Sequence, residues 1–175
     1  MTTISLRPWQ MEDLPDLVTF ANNEKIARNL TDAFPFPYTE EAGRGFLEVA
    51  MGSKNMLYAI DLKGRAIGGV GIHFKTDVYR YTAEIGYWLA EPYWRKGIMT
   101  EALKQLIKIA FTKTSLQRLE ASIYEYNISS QKTMQKLGFT MEGLRKDYTF
   151  KSGNFYDSYL YRLLKPEAQS LGYLS

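Results

Sequence analysis

Several short stretches of the chain alternate between apolar and polar residues or are largely apolar, and such stretches predict β-strands. They are Ile4-Ser5-Leu6, Met56 to Leu62, Ala66 to Phe74, Thr82 to Ala90, Arg118 to Tyr124, Phe139 to Phe150 and Phe155 to Leu163. Two glycine-containing segments, Lys63-Gly64-Arg65 and Lys151-Ser152-Gly153-Asn154, separate neighbouring strands. We therefore expect tight turns at these two places.

Other segments repeat apolar residues every three or four positions, which predicts helices. The longest runs from Gly97 to about Lys113 and keeps one apolar face and one polar face. The remaining predicted helices are Asp13 to about Lys25, a helix capped by Thr39, and Ser129 to Leu137. Gly138 can take the left-handed conformation that ends the last of these, with Phe139 as the apolar contact beyond it.

The order of the predicted elements is strand, two helices, three strands, helix, strand, helix and two strands. This order predicts a mixed α/β sheet with helices on both faces. No repeat, low-complexity segment or flexible linker interrupts the chain. We therefore expect a single domain over residues 1–175.

Composition narrows the classes of function. Hydrophobic residues make up 45% and charged residues 23% of the chain, as in a soluble globular protein. The net charge of +3 favours an anionic ligand, but it does not provide the concentrated basic face of a nucleic-acid binder. The lack of cysteine excludes disulfides and an acyl-cysteine intermediate. No signal peptide or membrane helix is predicted, so we expect a cytoplasmic protein.

The segment from Leu89 to Thr100 joins a strand end, a basic turn and a helix start. Backbone amides at a helix start have no intrahelical partner, and the helix dipole is positive there. Gly97 allows close approach of a ligand, while Arg95 and Lys96 add positive charge. This pattern predicts an anion site that a pyrophosphate would fit. A turn that only reverses the chain remains the alternative at this level.

Three stretches occur in the order and spacing of the GNAT N-acetyltransferase superfamily, which this chain resembles. They are Glu84-Ile85-Gly86-Tyr87-Trp88-Leu89 with Tyr93-Trp94, Lys96-Gly97 and Thr100-Glu101-Ala102; Asn127, Ser130 and Leu137-Gly138-Phe139; and Glu142 to Tyr148 with Gly153 and Tyr156-Asp157. The opening Leu6-Arg7-Pro8 is also similar to the family's usual start. The particular residues of these motifs resemble those of the branch that contains the ribosomal-protein N-terminal alanine and serine acetyltransferases.

This resemblance implies a GNAT-like α/β fold, with a mixed, mostly antiparallel twisted sheet of about six to seven strands and helices on both faces. It also implies acetyl-CoA as the acetyl donor, with the coenzyme A pyrophosphate at the helix start. The donor-binding residues that it implies are Trp88, Leu89, Ala90, Trp94, Arg95, Lys96, Gly97, Ile98, Met99, Thr100, Asn127 and Ser130. Asn127 would contact the pantetheine arm, and it is also placed to cap the helix near Ser129.

Direct acyl transfer to an amine in a ternary complex needs a base, a donor to the thioester oxygen and a proton for the leaving sulfur. Glu84, in mid-strand beside apolar neighbours, is the predicted base, acting directly or through one water. A structural glutamate paired with an arginine or lysine is the alternative for this residue. The resemblance implies a backbone amide near Leu89 or Ala90 as the oxygen donor, where the family's strand separates from its neighbour.

Two positions depart from the family pattern. Arg95 stands where the turn often has its first glycine, and Met134 stands where many members have a tyrosine that protonates the thiolate. The resembled branch implies Ser130 for that second role, although Ser130 also suits a polar position in a first helical turn. Thr149 occupies the place of a catalytic glutamate found in one branch, with Asp147, two residues away on the same predicted strand face, as a weaker substitute.

The predicted acceptor is a primary amine, and a protein or peptide N-terminus is preferred. A polyamine or other small amine is the first alternative, and a non-catalytic acyl-CoA binding module is the alternative of another class. No metal site is expected, because no cluster has ligand spacing and the single histidine, His73, is interpreted as structural. No nucleic-acid or membrane partner is expected, and the protein is predicted to be a monomer or homodimer.

Overall fold

A computed structural model describes residues 3–174. Seven strands form a sheet with the order β1-β2-β3-β4-β5-β7-β6. The strands are β1 Ser5–Pro8, β2 Met56–Leu62, β3 Arg65–Phe74, β4 Thr82–Leu89, β5 Arg118–Tyr124, β6 Thr140–Lys151 and β7 Asn154–Leu164. The helices are α1 Leu14–Ala21, α2 Glu24–Ala27, α3 Glu40–Gly52, α4 Ile98–Lys113, α5 Ile128–Lys136 and α6 Lys165–Ser170.

The sheet is mixed. The pairs β1–β2, β2–β3, β5–β7 and β6–β7 are antiparallel, whereas β4 and β5 are parallel. A parallel pair needs a long crossover between its strands, and α4 supplies this connection. The predicted mixed α/β, mostly antiparallel sheet with helices is thereby confirmed.

The chain forms two compact units. The first comprises the residues up to Ile72 together with Gly86–Leu106, and the second comprises His73–Ile85 together with the chain from Ile107 onward. The first unit has a core of apolar side chains from α1, α3, β2 and β3 with the residues that flank them. These are Trp9, Leu14, Leu17, Ala21, Tyr38, Leu47, Ala59 and Ala66.

The second unit packs β5 and the β6–β7 hairpin with α5 and the last turns of α4. Its fully buried side chains include Phe111, Leu116, Leu119 and Met134. Gly138 ends α5 with a φ of 84°, and the Phe139 N–H donates to the Met134 carbonyl over 3.0 Å. This is the left-handed helix ending predicted from the sequence.

The prediction of one helix from Asp13 to Lys25 is wrong. Helix α1 ends at Ala21, because Asn22 leaves the helical region and Asn23 is extended with a φ of −147°. The Asn23 side chain then accepts a hydrogen bond from the Lys25 N–H over 2.9 Å and caps α2. Asparagine side chains compete with the helical backbone for hydrogen bonds, and two of them in succession break the apolar periodicity here.

Candidate functional site

The turn between β4 and α4 lies within the first unit. The chain leaves β4 at Leu89, makes a 3-10 turn at Glu91–Tyr93 and enters α4 at Ile98. The first hydrogen bond of the helix runs from the Glu101 N–H to the Gly97 carbonyl over 3.1 Å. The amides just before Glu101 therefore precede the intrahelical ladder, as an anion site at a helix start requires. They belong to Ile98, Met99 and Thr100.

Two residues of this turn have left-handed backbone conformations. Gly97 has a φ of 76° and Arg95 a φ of 59°. Glycine adopts this region freely, whereas a residue with a Cβ does so at a cost of roughly 1–2 kcal/mol. The backbone conformation that glycine would favour is therefore present at Arg95 despite its side chain.

Side chains of the turn differ in whether they form hydrogen bonds with other described residues. The Trp94 indole N–H donates to the Leu89 carbonyl over 2.7 Å. The Lys96 ammonium donates to the Pro92 carbonyl over 2.8 Å and lies 5.7 Å from the centre of the Tyr93 ring. The Arg95 guanidinium is exposed and forms no hydrogen bond or ion pair within residues 3–174. Arg95 is thus the cation of this turn that is left available for a ligand.

At the end of β4, the backbone amides of Leu89 and Ala90 are the two predicted donors to the thioester oxygen, and they differ in their surroundings. The Ala90 N–H donates to the Ile67 carbonyl over 2.9 Å, so this amide is already used within the first unit. Along an antiparallel strand, successive residues direct their N–H and C=O groups to opposite sides. By this alternation we expect the Leu89 amide to point away from β3, which favours Leu89 over Ala90 as the donor.

Trp88 is packed into the first unit. Its ring lies 5.6 Å from the ring of Phe34, at an angle of 60°, and the side chain is half-buried. A Cβ at Gly69 would come within 2.8 Å of the Trp88 indole nitrogen, so glycine is required there for the indole to fit. Trp88 is consequently held as an aromatic wall and is not a freely exposed stacking platform.

Glu84 lies in the second unit, on the part of β4 that pairs with β5. The parallel ladder joins Thr82–Glu84 to Arg118–Glu120 and ends at Glu84, although β5 continues to Tyr124. The Glu84 side chain is half-buried and forms no ion pair with an arginine or lysine among residues 3–174. The interpretation of Glu84 as an ion-paired structural residue therefore finds no support within the described part of the chain.

The one histidine of the chain, His73, interacts electrostatically with Glu84. Desolvation lowers the pKa of the His73 imidazole, and the negative charge of Glu84 opposes that effect in part. The imidazole is thus more readily held neutral than an ordinary histidine. This neighbour of the predicted base was interpreted from the sequence as purely structural.

Glu120 pairs with Glu84 in the parallel ladder. It is a buried carboxylate whose environment differs from that of Glu84. It accepts a hydrogen bond from the Arg118 Nε over 2.7 Å and a second one from Lys75. Burial pushes the pKa of Glu120 upward, but the hydrogen bonds from Lys75 and Arg118 outweigh it and leave the pKa lowered. The sequence did not single out this residue, because strand register alone brings it beside Glu84.

Asn127 caps α5, as predicted. Its side-chain oxygen accepts a hydrogen bond from the Ser130 N–H over 3.2 Å. Ser130 lies half-buried in the first turn of this helix. Met134 is completely buried, so its side chain packs in the core of the second unit. The position that carries a proton-donating tyrosine in many relatives of the resembled family is a core position here.

Asp147 lies in an irregular part of the last hairpin. Between Arg145 and Thr149 the register of β6 shifts against β7, and Asp147 has a left-handed φ of 46°. This bulge interrupts the alternation on which the placement of Asp147 and Thr149 on one strand face depended. The Asp147 side chain is exposed, and its N–H donates to the Asp157 carboxylate over 3.0 Å.

Neither a metal-ligand cluster nor a membrane-spanning helix occurs in residues 3–174. No group of three or more His, Asp or Glu side chains could hold a metal ion in this part of the chain. None of its helices is long and apolar enough to cross a membrane.

A family model for the acetyltransferase (GNAT) domain matches residues 3–140. The protein belongs to the GNAT acetyltransferase family. Membership confirms the prediction of an acetyl-CoA-dependent N-acetyltransferase. The turn of this GNAT enzyme also suits the diphosphate of such a donor, since it combines amides outside the helical ladder with an exposed cation at Arg95.

Relatives of this GNAT enzyme include an uncharacterised N-acetyltransferase p20 of Bacillus licheniformis, 29% identical over 94% of both chains. The [ribosomal protein uS5]-alanine N-acetyltransferase of Escherichia coli strain K12 is 31% identical over 56% of this chain and 52% of its own. Among solved structures, the Microcin C7 self immunity acetyltransferase MccE, in complex with acetyl-CoA and AMP, is 26% identical. It covers 92% of each chain with a TM-score of 0.80.

Proposed function

We propose that this GNAT enzyme transfers the acetyl group of acetyl-CoA to the N-terminal amine of a protein or peptide. The similarity to the uS5-alanine enzyme of Escherichia coli supports this acceptor, together with the motif wording shared with the ribosomal-protein branch. That similarity covers about half of each chain, so it supports the class of acceptor and not a particular protein.

The observation that carries the donor half of the proposal is the turn before α4. Its left-handed residues, Arg95 and Gly97, direct the chain into a helix whose first amides precede the hydrogen-bonded ladder. A diphosphate bound there would receive hydrogen bonds from the amides of Ile98 to Thr100 and positive potential from the helix dipole. The exposed Arg95 guanidinium would add a charge-assisted contact. Lys96, folded onto the Pro92 carbonyl, would act mainly by holding the turn.

Glu84 is the proposed base. An ammonium has no lone pair, so its proton must leave before the nitrogen can attack the thioester carbonyl carbon. A half-buried carboxylate without an arginine or lysine partner in residues 3–174 is available for this proton, whether directly or through one water. Carboxylates held in ion pairs, such as Glu120, are not available in this way.

The Leu89 amide is the proposed donor to the thioester oxygen, because its expected direction differs from that of the engaged Ala90 amide. As the carbon–sulfur bond breaks, the nitrogen gives up its second proton and the sulfur takes one up. The Ser130 hydroxyl is the proposed source for the sulfur, and it is reprotonated by the proton that leaves the nitrogen or by solvent. Asn127 would contact the pantetheine arm through its amide while its oxygen caps α5. These roles are carried over from the family resemblance residue by residue, and each can be tested by mutating the residue.

The acceptor is tested by measuring thiol release from acetyl-CoA with a panel of amines at equal concentration. The panel contains peptides with free alanine, serine and methionine N-termini, the same peptides with blocked N-termini, spermidine and an aminosugar. We expect turnover with free peptide N-termini and none with the blocked peptides. Faster turnover of spermidine or the aminosugar would overturn the peptide acceptor and leave the donor chemistry in place.

The same assay separates an enzyme from a non-catalytic acyl-CoA binding module. Calorimetry with coenzyme A reports donor binding without any chemical step. Binding of coenzyme A together with no thiol release from any amine of the panel would identify a binding module. Absence of coenzyme A binding would remove the donor site itself.

A further inference from the structure

Both carboxylate oxygens of Glu91 are bound by residues of a distant segment of the first unit. The Lys25 ammonium donates to one oxygen over 2.5 Å, and the Asn23 side-chain amide donates to the other over 2.7 Å. Glu91 is the first residue of the 3-10 turn that precedes the donor-binding turn. The segment joining α1 to α2 is thereby tied to the polypeptide just ahead of Arg95 and Gly97.

Asn23 is itself fixed by the local structure. Its side-chain oxygen caps α2 by accepting from the Lys25 N–H over 2.9 Å, which leaves the amide nitrogen free to donate to Glu91. One side chain therefore orients α2 and contacts the turn. The break between α1 and α2, which the apolar periodicity did not predict, is what brings Asn23 and Lys25 to Glu91.

A second contact joins the same parts of the first unit. The Phe20 ring of α1 meets the Tyr93 ring edge-on, with centroids 5.8 Å apart and planes at 82°. The Arg65 guanidinium lies 4.8 Å from the centre of the Phe20 ring, and Arg65 is paired with Asp16 of α1. Both ends of the 3-10 turn, Glu91 and Tyr93, are thus held from α1 and α2.

We propose that Glu91, through Asn23 and Lys25, is a positioning residue for acetyl-CoA binding that fixes the backbone of the donor turn. The inference rests on the proposed donor site in the turn before α4. The amides of this turn must be aimed at a diphosphate before it binds, since backbone ordered only on binding lowers affinity. The left-handed conformation at Arg95 costs free energy, so the contacts from Asn23 and Lys25 add to the order that Trp94 and Lys96 give within the turn.

The solvent exposure of Lys25 and Glu91 distinguishes a role in positioning the donor turn from a general role in stability. The side chains of Lys25 and Glu91 are 64% and 38% exposed, and ion pairs at this level of exposure contribute little to folding. Variants at Glu91 or Lys25 are therefore expected to fold. Their effect should fall on the turn that the contact holds.

The test uses the full chain with Glu91→Ala, Lys25→Met and Lys25→Arg, and measures coenzyme A binding by calorimetry and KM and kcat for acetyl-CoA. We expect Glu91→Ala and Lys25→Met to weaken coenzyme A binding and raise KM about three- to tenfold, with kcat changed less than about twofold. Lys25→Arg should keep coenzyme A affinity and KM close to those of the wild type, because arginine is also a charged donor. Glu40→Gln, which removes an exposed carboxylate paired with Arg44 on α3, is the matched control and should change neither parameter.

Two results would overturn the role of Glu91. One is a lowered melting temperature in Glu91→Ala with unchanged coenzyme A affinity, which would make the contact purely structural. The other is a fall in kcat at saturating acetyl-CoA with an unchanged KM. Failure of the wild-type protein to bind coenzyme A would instead refute the proposed donor site, so the two failures are distinguishable.

Discussion

Glu84 of β4 and Glu120 of β5 lie opposite each other in the parallel ladder of the second unit. Lys75 and Arg118 bind the Glu120 carboxylate, whereas Glu84 forms no ion pair with a lysine or arginine within 3–174. Two carboxylates in one row of the sheet therefore have different environments. We expect one of them to serve stability and the other to serve catalysis, and substitution of each can separate these roles.

Glu84→Gln keeps the size of the side chain and removes its ability to accept a proton. If Glu84 is the base, kcat with a peptide amine should fall about 100- to 10,000-fold. Coenzyme A affinity and the melting temperature should stay close to those of the wild type, because Glu84 has no ion-pair partner to lose. Turnover within threefold of the wild type would remove Glu84 from the mechanism. Glu48→Gln, at an exposed position of α3, controls for loss of a carboxylate.

Glu120→Gln should lower the free energy of unfolding at neutral pH by about 1–3 kcal/mol, because a charge-assisted pair of hydrogen bonds is lost. The pKa of Glu120 is lowered below its ordinary value of 4.5, since Lys75 and Arg118 outweigh the opposing effect of burial. The stabilisation is thus present above the unfolded-state pKa and is lost as the pH falls through the folded-state pKa.

The direction of this pH dependence can be checked by chemical denaturation of the wild type and Glu120→Gln between pH 3 and 7. The difference in unfolding free energy should be constant near neutral pH and shrink below about pH 4.5. A difference that grows on acidification would contradict the assignment. The activity of the folded variant is expected to change much less than that of Glu84→Gln.

Arg95→Gly and Arg95→Ala separate the backbone and the charge of the donor turn. Glycine relieves the left-handed conformation at φ 59°, so Arg95→Gly should be more stable than Arg95→Ala by about 1 kcal/mol. Both variants lose the guanidinium, so both should bind coenzyme A about three- to tenfold more weakly if Arg95 contacts a phosphate. Unchanged affinity in both would assign binding to the amides alone. Thermal unfolding and calorimetry provide the two measurements.

Asn127→Ala removes the cap of α5 and should cost about 1 kcal/mol of stability. Asn127→Asp retains an oxygen that can accept from the Ser130 N–H and should keep that stability. The same variant loses the amide nitrogen that would donate to the pantetheine arm. Weaker coenzyme A binding in a stable Asn127→Asp protein would support the pantetheine contact, and wild-type affinity would limit Asn127 to capping.

The elements of the fold follow closely from local sequence. The bounds of β2 and β5 coincide with the apolar stretches, and α4 begins within one residue of the predicted start. Thr39, Asn127 and Gly138 mark helix ends that the structure contains. These features depend on contacts over a few residues, such as a side chain capping a nearby amide, and so sequence alone specifies them.

The first helical segment and the last hairpin show where local sequence was insufficient. The first helix is predicted to reach about Lys25, yet Asn22 and Asn23 end it at Ala21 because their side chains bond elsewhere: Asn22 accepts from the Tyr38 N–H over 3.0 Å and Asn23 contacts Glu91. The bulge at Asp147 similarly changes a face assignment that strict alternation gave. At Asn22 and Asn23 the partners are distant in sequence, and at Asp147 the shifted register of β6 against β7 accompanies the left-handed conformation.

Periodicity and short motifs express local geometry, so they suffice to predict the class of fold, the basic turn before α4 and the position of Glu84 in mid-strand. Only the folded structure shows that Glu120 lies opposite Glu84, that the Ala90 amide donates to the Ile67 carbonyl, and that Asn23 and Lys25 bind Glu91. Strand register and side-chain partners are set by packing across long sequence separations. No pattern within a single segment records them.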